Sequence, residues 1–252
     1  MKHEEFTRIV PGADTAVLFI HGIAGTPNQF RDLIPLVELV PETWSVRNVL
    51  LPGHGGSAMD FGRSSMKQWR SYAYSAFEEL SRQHDRVILA GHSMGTLFSI
   101  QLAVKNPEKV SQLYLLAVPM RPWPRLFCIK NMLKLPFGKL REEKPLEAAF
   151  SKACGIQATP FIWQYITWIP RVLELFGEIY RTEKLLPRLA VPCIAWQSEN
   201  DDLVSNFSAA VLRKAGSMEV RELSESTHFY YGPKDKKTVL DSFSEIIKRR
   251  LE

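Results

Sequence analysis

Residues 89–97, LAGHSMGTL, decide how this chain is read. Ser93 has Gly91 two places before it and Gly95 two places after. The apolar run RVILA (86–90) leads in, and GTLFSIQLAVKN (95–106) leads out with Leu97, Ile100 and Val104 at helical spacing. A serine between two glycines, where a buried strand turns into a helix, is the pattern of a nucleophile elbow. The turn is too sharp for ordinary backbone angles, so strain is stored at the serine. A Cβ at position 91 or 95 would clash with the neighbouring strand or helix. The hydroxyl is pushed outward, and the helix N-terminus behind it favours developing negative charge.

Working outward, short apolar runs alternate with helical patterns, as βαβ units require. TAVLFI (15–20), WSVRNVLL (44–51), SQLYLLAV (111–118), VPCIAWQS (191–198) and MEVREL (218–223) read as further strands. TPNQFRDLIPLVELV (26–40) is expected to be a helix, capped by Thr26 with Pro27 in the first turn and Gln29 completing a capping box. A second helix follows Ser65, with Gln68 as its box partner, and a third lies near 205–215. The last places Val239, Leu240, Phe243, Ile246 and Ile247 on one face. The rhythm breaks over 119–186, which shows no strand pattern but aromatic-rich helical spacing at Phe161, Tyr165, Trp168, Val172 and Phe176. The expected fold is α/β: a doubly wound, mostly parallel sheet built from 1–118 and 187–252, with 119–186 as a helical cap.

The bulk numbers agree with one large domain. Of 252 residues, 45% are hydrophobic and 23% charged, a globular balance. The opening stretch holds only a four-residue apolar run, Val17 to Ile20, too short and too late for a signal segment. No stretch reaches the roughly 18 apolar residues of a membrane helix. Three cysteines, Cys128, Cys154 and Cys193, lack metal-ligand spacing, so a reducing, cytoplasmic setting is expected. The net charge of +5 is localised. Residues 119–186 carry 11 Lys/Arg against 6 Asp/Glu, and the remainder is neutral. Basic runs interleaved with stacking aromatics, as a nucleic-acid groove needs, are missing. A solvated surface, or one meeting anionic substrates or lipid headgroups, remains.

A serine nucleophile needs a base, and the base an orienting carboxylate. Of six histidines, His3 is terminal, His84 lies in a polar turn, and His21, His54 and His92 precede or adjoin the serine. His228, in ESTHFYYGP, follows the next-to-last strand and is the expected base. The acid should follow CIAWQS, where Glu199, Asp201 and Asp202 are available. Asp201 is preferred because the Asp-x-x-Val spacing turns it inward and lets Val204 pack. Asp202 is expected to face solvent or cap a helix at Ser205. An oxyanion hole needs two backbone N–H groups. Met94 supplies one and Ile23, in FIHGIAGTP, the other, with His21 orienting that loop.

With these pieces in order, the chain resembles the α/β-hydrolase superfamily, and within it bacterial carboxylesterases and monoacylglycerol lipases with a small helical cap. The resemblance rests on HGIAGTP, LPGHG, GHSMG, DDLV and STH. It implies Ser93, Asp201 and His228 as triad, Ile23 and Met94 as oxyanion donors, and 119–186 as a cap over the acyl site. His54 of LPGHG is then a loop brace. No metal and no organic cofactor is implied. Ten of the chain's 27 aromatics fall in the cap, a mild enrichment that suits an apolar acyl ester. Trp163 from the cap and Phe30, Leu203 and Phe229 from below are expected to line the acyl site. Thioester hydrolysis, acyl transfer or C–C hydrolysis by the same triad, and non-catalytic ligand binding, are the competing functions.

Overall fold

The computed structural model describes residues 3–157 and 159–251. Seven strands form one sheet: β1 (Phe6–Arg8), β2 (Thr15–Ile20), β3 (Ser45–Asn48), β4 (Arg86–His92), β5 (Val110–Leu116), β6 (Cys193–Ser198) and β7 (Met218–Leu223). Their order is β1-β3-β2-β4-β5-β6-β7. Every pairing is parallel except β1 with β3. β2 is wholly buried, as a central parallel strand covered on both faces must be. Its alternate residues feed two cores. Ala16, Leu18 and Ile20 pack with α2 (Met66–Gln83) and α3 (Met94–Lys105). Val17 and Phe19 pack with Val239, Phe243, Ile246 and Ile247 of α8 (Pro233–Leu251).

The chain runs from β2 outward to β3, then crosses back to place β4 on the other side of β2. The carboxyl ends of β2 and β4 therefore flank the point where winding reverses, the usual place for a ligand in such sheets. The loop after β2 and the turn after β4 meet there. A Cβ on Gly22 would lie 2.9 Å from Ser93 Cβ.

The expected helix over 26–40 does not form. Two short 3-10 turns, Pro27–Phe30 and Val37–Leu39, take its place. Pro35 interrupts it: proline has no N–H to donate and disfavours helical angles in the residue before it. Thr26 makes no cap hydrogen bond, and Gln29 closes no capping box. Two elements were not anticipated: the edge strand β1, and α1 (Ala58–Arg63), closed by a reciprocal Ser57–Asp60 capping box.

Between β5 and β6 the described segments are helical: α4 (Leu126–Lys134), α5 (Pro145–Ala153), a 3-10 stretch Ile162–Trp168 and α6 (Ile169–Glu183). The far end of this region is built into the core. Ile179 and Leu186 join the α2/α3 cluster, and Gln101 of α3 donates to Glu178 and Thr182 at 2.9 and 2.7 Å. Its middle is tied in part through the backbone. Gly155 N–H donates to Ala24 O (2.8 Å), and Gly55 N–H donates to Gly155 O (2.7 Å). A Cβ at Gly155 would stand 1.8 Å from Thr26 Cγ2 and 2.7 Å from Gly25 O, so the strand of contact admits no side chain.

Candidate active site

The elbow has the geometry its sequence demands. Ser93 sits at φ 50°, ψ −122°, between β4 and α3. A Cβ on Gly95 would fall 1.9 Å from Ile20 O, and one on Gly91 2.8 Å from Thr96 Cα. Ser93 occupies the N-cap position, yet its hydroxyl makes no cap hydrogen bond, so local structure does not consume it. Among the described residues the other non-glycine positive φ angles are Ala24 (53°) and Ala117 (55°), after β2 and β5. All three lie at the carboxyl edge of the sheet, where strain of this kind gathers at functional sites.

His228 and Asp201 are joined directly. His228 Nδ1–H donates to Asp201 at 2.9 and 3.1 Å, which leaves Nε2 free to accept a proton. Both side chains are almost fully buried. Asp201 is fixed in turn by N–H donation from Leu203 (2.8 Å) and Val204 (2.7 Å). Burial alone would depress the His228 imidazole. The Asp201 charge and hydrogen bond, with the Asp202 charge behind them, outweigh it and lift the pKa above the ordinary histidine value.

Ser93 lies beside this pair through its neighbour. The His92 ring is 5.1 Å from that of His228, and His92 Nε2–H donates to His228 O at 3.1 Å. Burial, then the His228 charge, lowers His92 to about 3, so it stays neutral. Among the described residues no hydrogen bond joins Ser93 Oγ to the His228 ring. Such contacts are often long without substrate and shorten in its complex.

The loop after β2 is held from below. His21 Nδ1–H donates to Gly22 O (2.9 Å), and its Nε2 accepts from Leu51 N–H (3.1 Å). Burial, the largest influence, lowers His21 to about 4. Gly22 N–H donates to Gln29 Oε1 (3.0 Å), and Gly25 N–H donates to Gly22 O (3.0 Å). Ile23 sits within this braced turn, and Met94 opens α3, where helix geometry leaves N–H groups without internal partners. His54 packs edge-on against His21, Phe61 and Trp69.

A strained serine turn, a buried histidine–carboxylate pair and a braced backbone loop thus converge at the switch point. A model of the alpha/beta hydrolase family matches residues 17–239. The chain belongs to that family. Among its relatives, the pimeloyl-[acyl-carrier protein] methyl ester esterase of Neisseria meningitidis serogroup C / serotype 2a is 32% identical over 120 residues, 46% of this chain. The match covers 42% of that enzyme, less than half its length. The thermostable monoacylglycerol lipase of Bacillus sp. (strain H-257) is 29% identical over 220 residues, covering 85% of this chain and 82% of the lipase. The same fold occurs in a structure reported for the metagenome-derived lipolytic enzymes LipS and LipT, with TM-score 0.74 and 20% identity over 98% of each chain. A Paleococcus ferrophilus monoacylglycerol lipase structure superposes with TM-score 0.66 and 16% identity, over 97% of this chain and 99% of that one.

The expected acyl-wall residues of this alpha/beta hydrolase sit in different surroundings. Phe30 is fully buried in the α8-side core, 5.1 Å from the Phe19 ring. Trp163 stands exposed on the 3-10 stretch before α6. Phe229 does lie at the site, its ring 4.6 Å from His228, 5.8 Å from His92 and 5.7 Å from Phe150 of α5. Leu203 flanks Asp201, and its carbonyl accepts from Trp123 N–H at 2.8 Å.

Asp202 does not face solvent. It is buried, and its Oδ1 accepts the His228 N–H at 3.2 Å, so adjacent carboxylates grip one histidine by ring and by backbone. Gln29 braces the Gly22 N–H instead of closing the capping box expected of it. Its role depends on a contact seven residues away, and its sequence signal pointed to a cap. Gln29→Ala frees the Gly22 N–H and is expected to cut kcat about 10- to 100-fold with KM little changed, since small misplacements of reacting geometry cost that much; steady-state kinetics on a soluble ester measure it.

Proposed function

We propose that this protein is a serine carboxylic-ester hydrolase acting on short- to medium-chain acyl esters or monoacylglycerols. The observation that carries this reading is the buried Asp201–His228 hydrogen bond, set beside the strained Ser93 turn. His228 Nε2 takes the Ser93 proton as Oγ bonds to the ester carbonyl carbon. The Ile23 and Met94 N–H groups hold the oxyanion, an interaction for which losing one donor typically costs about 100- to 1,000-fold in kcat. The tetrahedral adduct collapses, breaking the C–O bond, and His228 returns the proton to the departing alcohol. Water then attacks the acyl-serine with the same base, releasing the acid and restoring the hydroxyl.

Residues 119–186 act as a cap in this reading. Phe229 and Phe150 set aromatic surface next to the base, which suits an apolar acyl group better than a sugar or a charged substrate. Esters of graded acyl length, run beside matching acyl-thioesters with Ser93→Ala as control, test the proposal. Ester turnover that vanishes in the variant supports it. Turnover of thioesters alone, or turnover retained by the variant, overturns it.

The pH profile follows from His228. The base works only when neutral, so kcat/KM is expected to rise with pH through the imidazole pKa. Because the carboxylates raise that pKa, the acid limb should lie above the ordinary histidine position of about 6.5. A kcat/KM profile across the neutral range reads it directly.

A further inference from the structure

Helix α6 turns a broad apolar stripe to the outside, although Ile179 and the partly buried Leu175 pack against the core. A surface helix normally turns its apolar stripe to the core and its charges to water. In α6 the buried face carries Glu178, only 2% exposed, which accepts from Arg70 Nη1 (3.0 Å) and Gln101 Nε2 (2.9 Å) and pairs with Arg181. The opposite face exposes Ile169, Val172, Leu173, Phe176 and Tyr180, between 47% and 64%. The preceding 3-10 stretch extends that stripe with Ile162, Trp163 and Ile166, each about as exposed. Helix α4 also turns an apolar stripe outward. It buries Cys128 and Asn131, whose amide finds no partner at either atom, and exposes Leu126, Ile129, Met132 and Leu133. Among the described residues, every large apolar side chain that stands exposed lies between Trp123 and Tyr180, except Ile9, Phe207 and Leu251.

An apolar surface gathered in this way marks an interaction site. Its charge says which kind. Residues 119–186 hold the whole cationic excess of the chain, 11 Lys/Arg against 6 Asp/Glu. Two cations sit on the exposed rings: Lys139 Nζ lies 5.4 Å above Phe137, and Lys184 Nζ 4.1 Å above Tyr180. Two such faces brought together would set positive against positive, which argues against a second copy of the chain. An anionic lipid surface satisfies both properties at once: apolar side chains enter the acyl boundary while lysines and arginines meet headgroups. No helix among the described residues is long and apolar enough to cross a membrane. We propose that the outward faces of α4, residues 162–166 and α6 form an interfacial surface that seats the protein on anionic phospholipid bilayers.

Sedimentation with vesicles tests this on the full-length protein, using phosphatidylglycerol mixed into phosphatidylcholine and phosphatidylcholine alone. The expected result is preferential partition onto the anionic vesicles that weakens as salt is raised. Leu133→Glu combined with Leu173→Glu, both at exposed positions, should lower that partition about tenfold or more while hydrolysis of a soluble short-chain ester is unchanged. Ser93→Ala should bind as the unaltered protein does, so this outcome is independent of the triad chemistry. Absence of partition, or equal partition by the double variant, overturns the proposal. So does a dimer in gel filtration that the double variant dissolves, which would assign the surface to a second copy.

Discussion

Ser93→Ala is expected to abolish ester turnover, a loss on the order of 10⁶-fold in kcat if the triad acts as one unit. The native fold should survive, because the Ser93 hydroxyl makes no cap hydrogen bond and alanine keeps the Cβ the turn already accommodates. A fluorophosphonate probe should label the unaltered protein and leave the variant unlabelled. Labelling of the variant would place the nucleophile elsewhere. Circular dichroism of the two proteins should coincide, which separates lost chemistry from lost structure.

The second large effect divides adjacent carboxylates. Asp201→Asn keeps the shape of the pair but removes the charge that orients and supports the imidazole, and about 10⁴-fold in kcat is expected to go. Asp202→Asn removes only the smaller of the two charges that raise the His228 pKa, and an amide oxygen can still accept the His228 backbone N–H, so about tenfold or less is expected. The acid limb of the pH profile should also fall in Asp201→Asn, since the leading cause raising the His228 pKa is lost while burial still lowers it. Equal losses in the two variants would refute the assignment of roles. Stopped assays on one soluble ester, across pH, measure both effects.

Much of this was legible along the chain because it is local. The elbow needs glycines at two fixed offsets from a serine, and the buried strands announce themselves as short apolar runs. Chain order and the turn spacing to Val204 singled out Asp201 and His228, and the structure joins those two side chains by a hydrogen bond. What stayed hidden depends on distant partners or on direction. The spacing from Phe161 to Phe176 marked an apolar stripe, but period alone does not say which way a stripe faces. That was settled by Arg70 and Gln101, remote in sequence, which draw Glu178 inward. Phe30 packs into the α8-side core, a face that its closeness to the loop in sequence does not reveal. The capping box at Ser57 and Asp60 was readable, yet α1 is only six residues long and no apolar period accompanied it.

The Gly155 crossing has a practical consequence for remodelling. Any graft that exchanges the insertion for one from a relative must hand back a residue without a side chain at that crossing, or the Ala24 turn loses its lateral support. Changes confined to α4 and α5, upstream of it, leave the seam at 155–157 untouched.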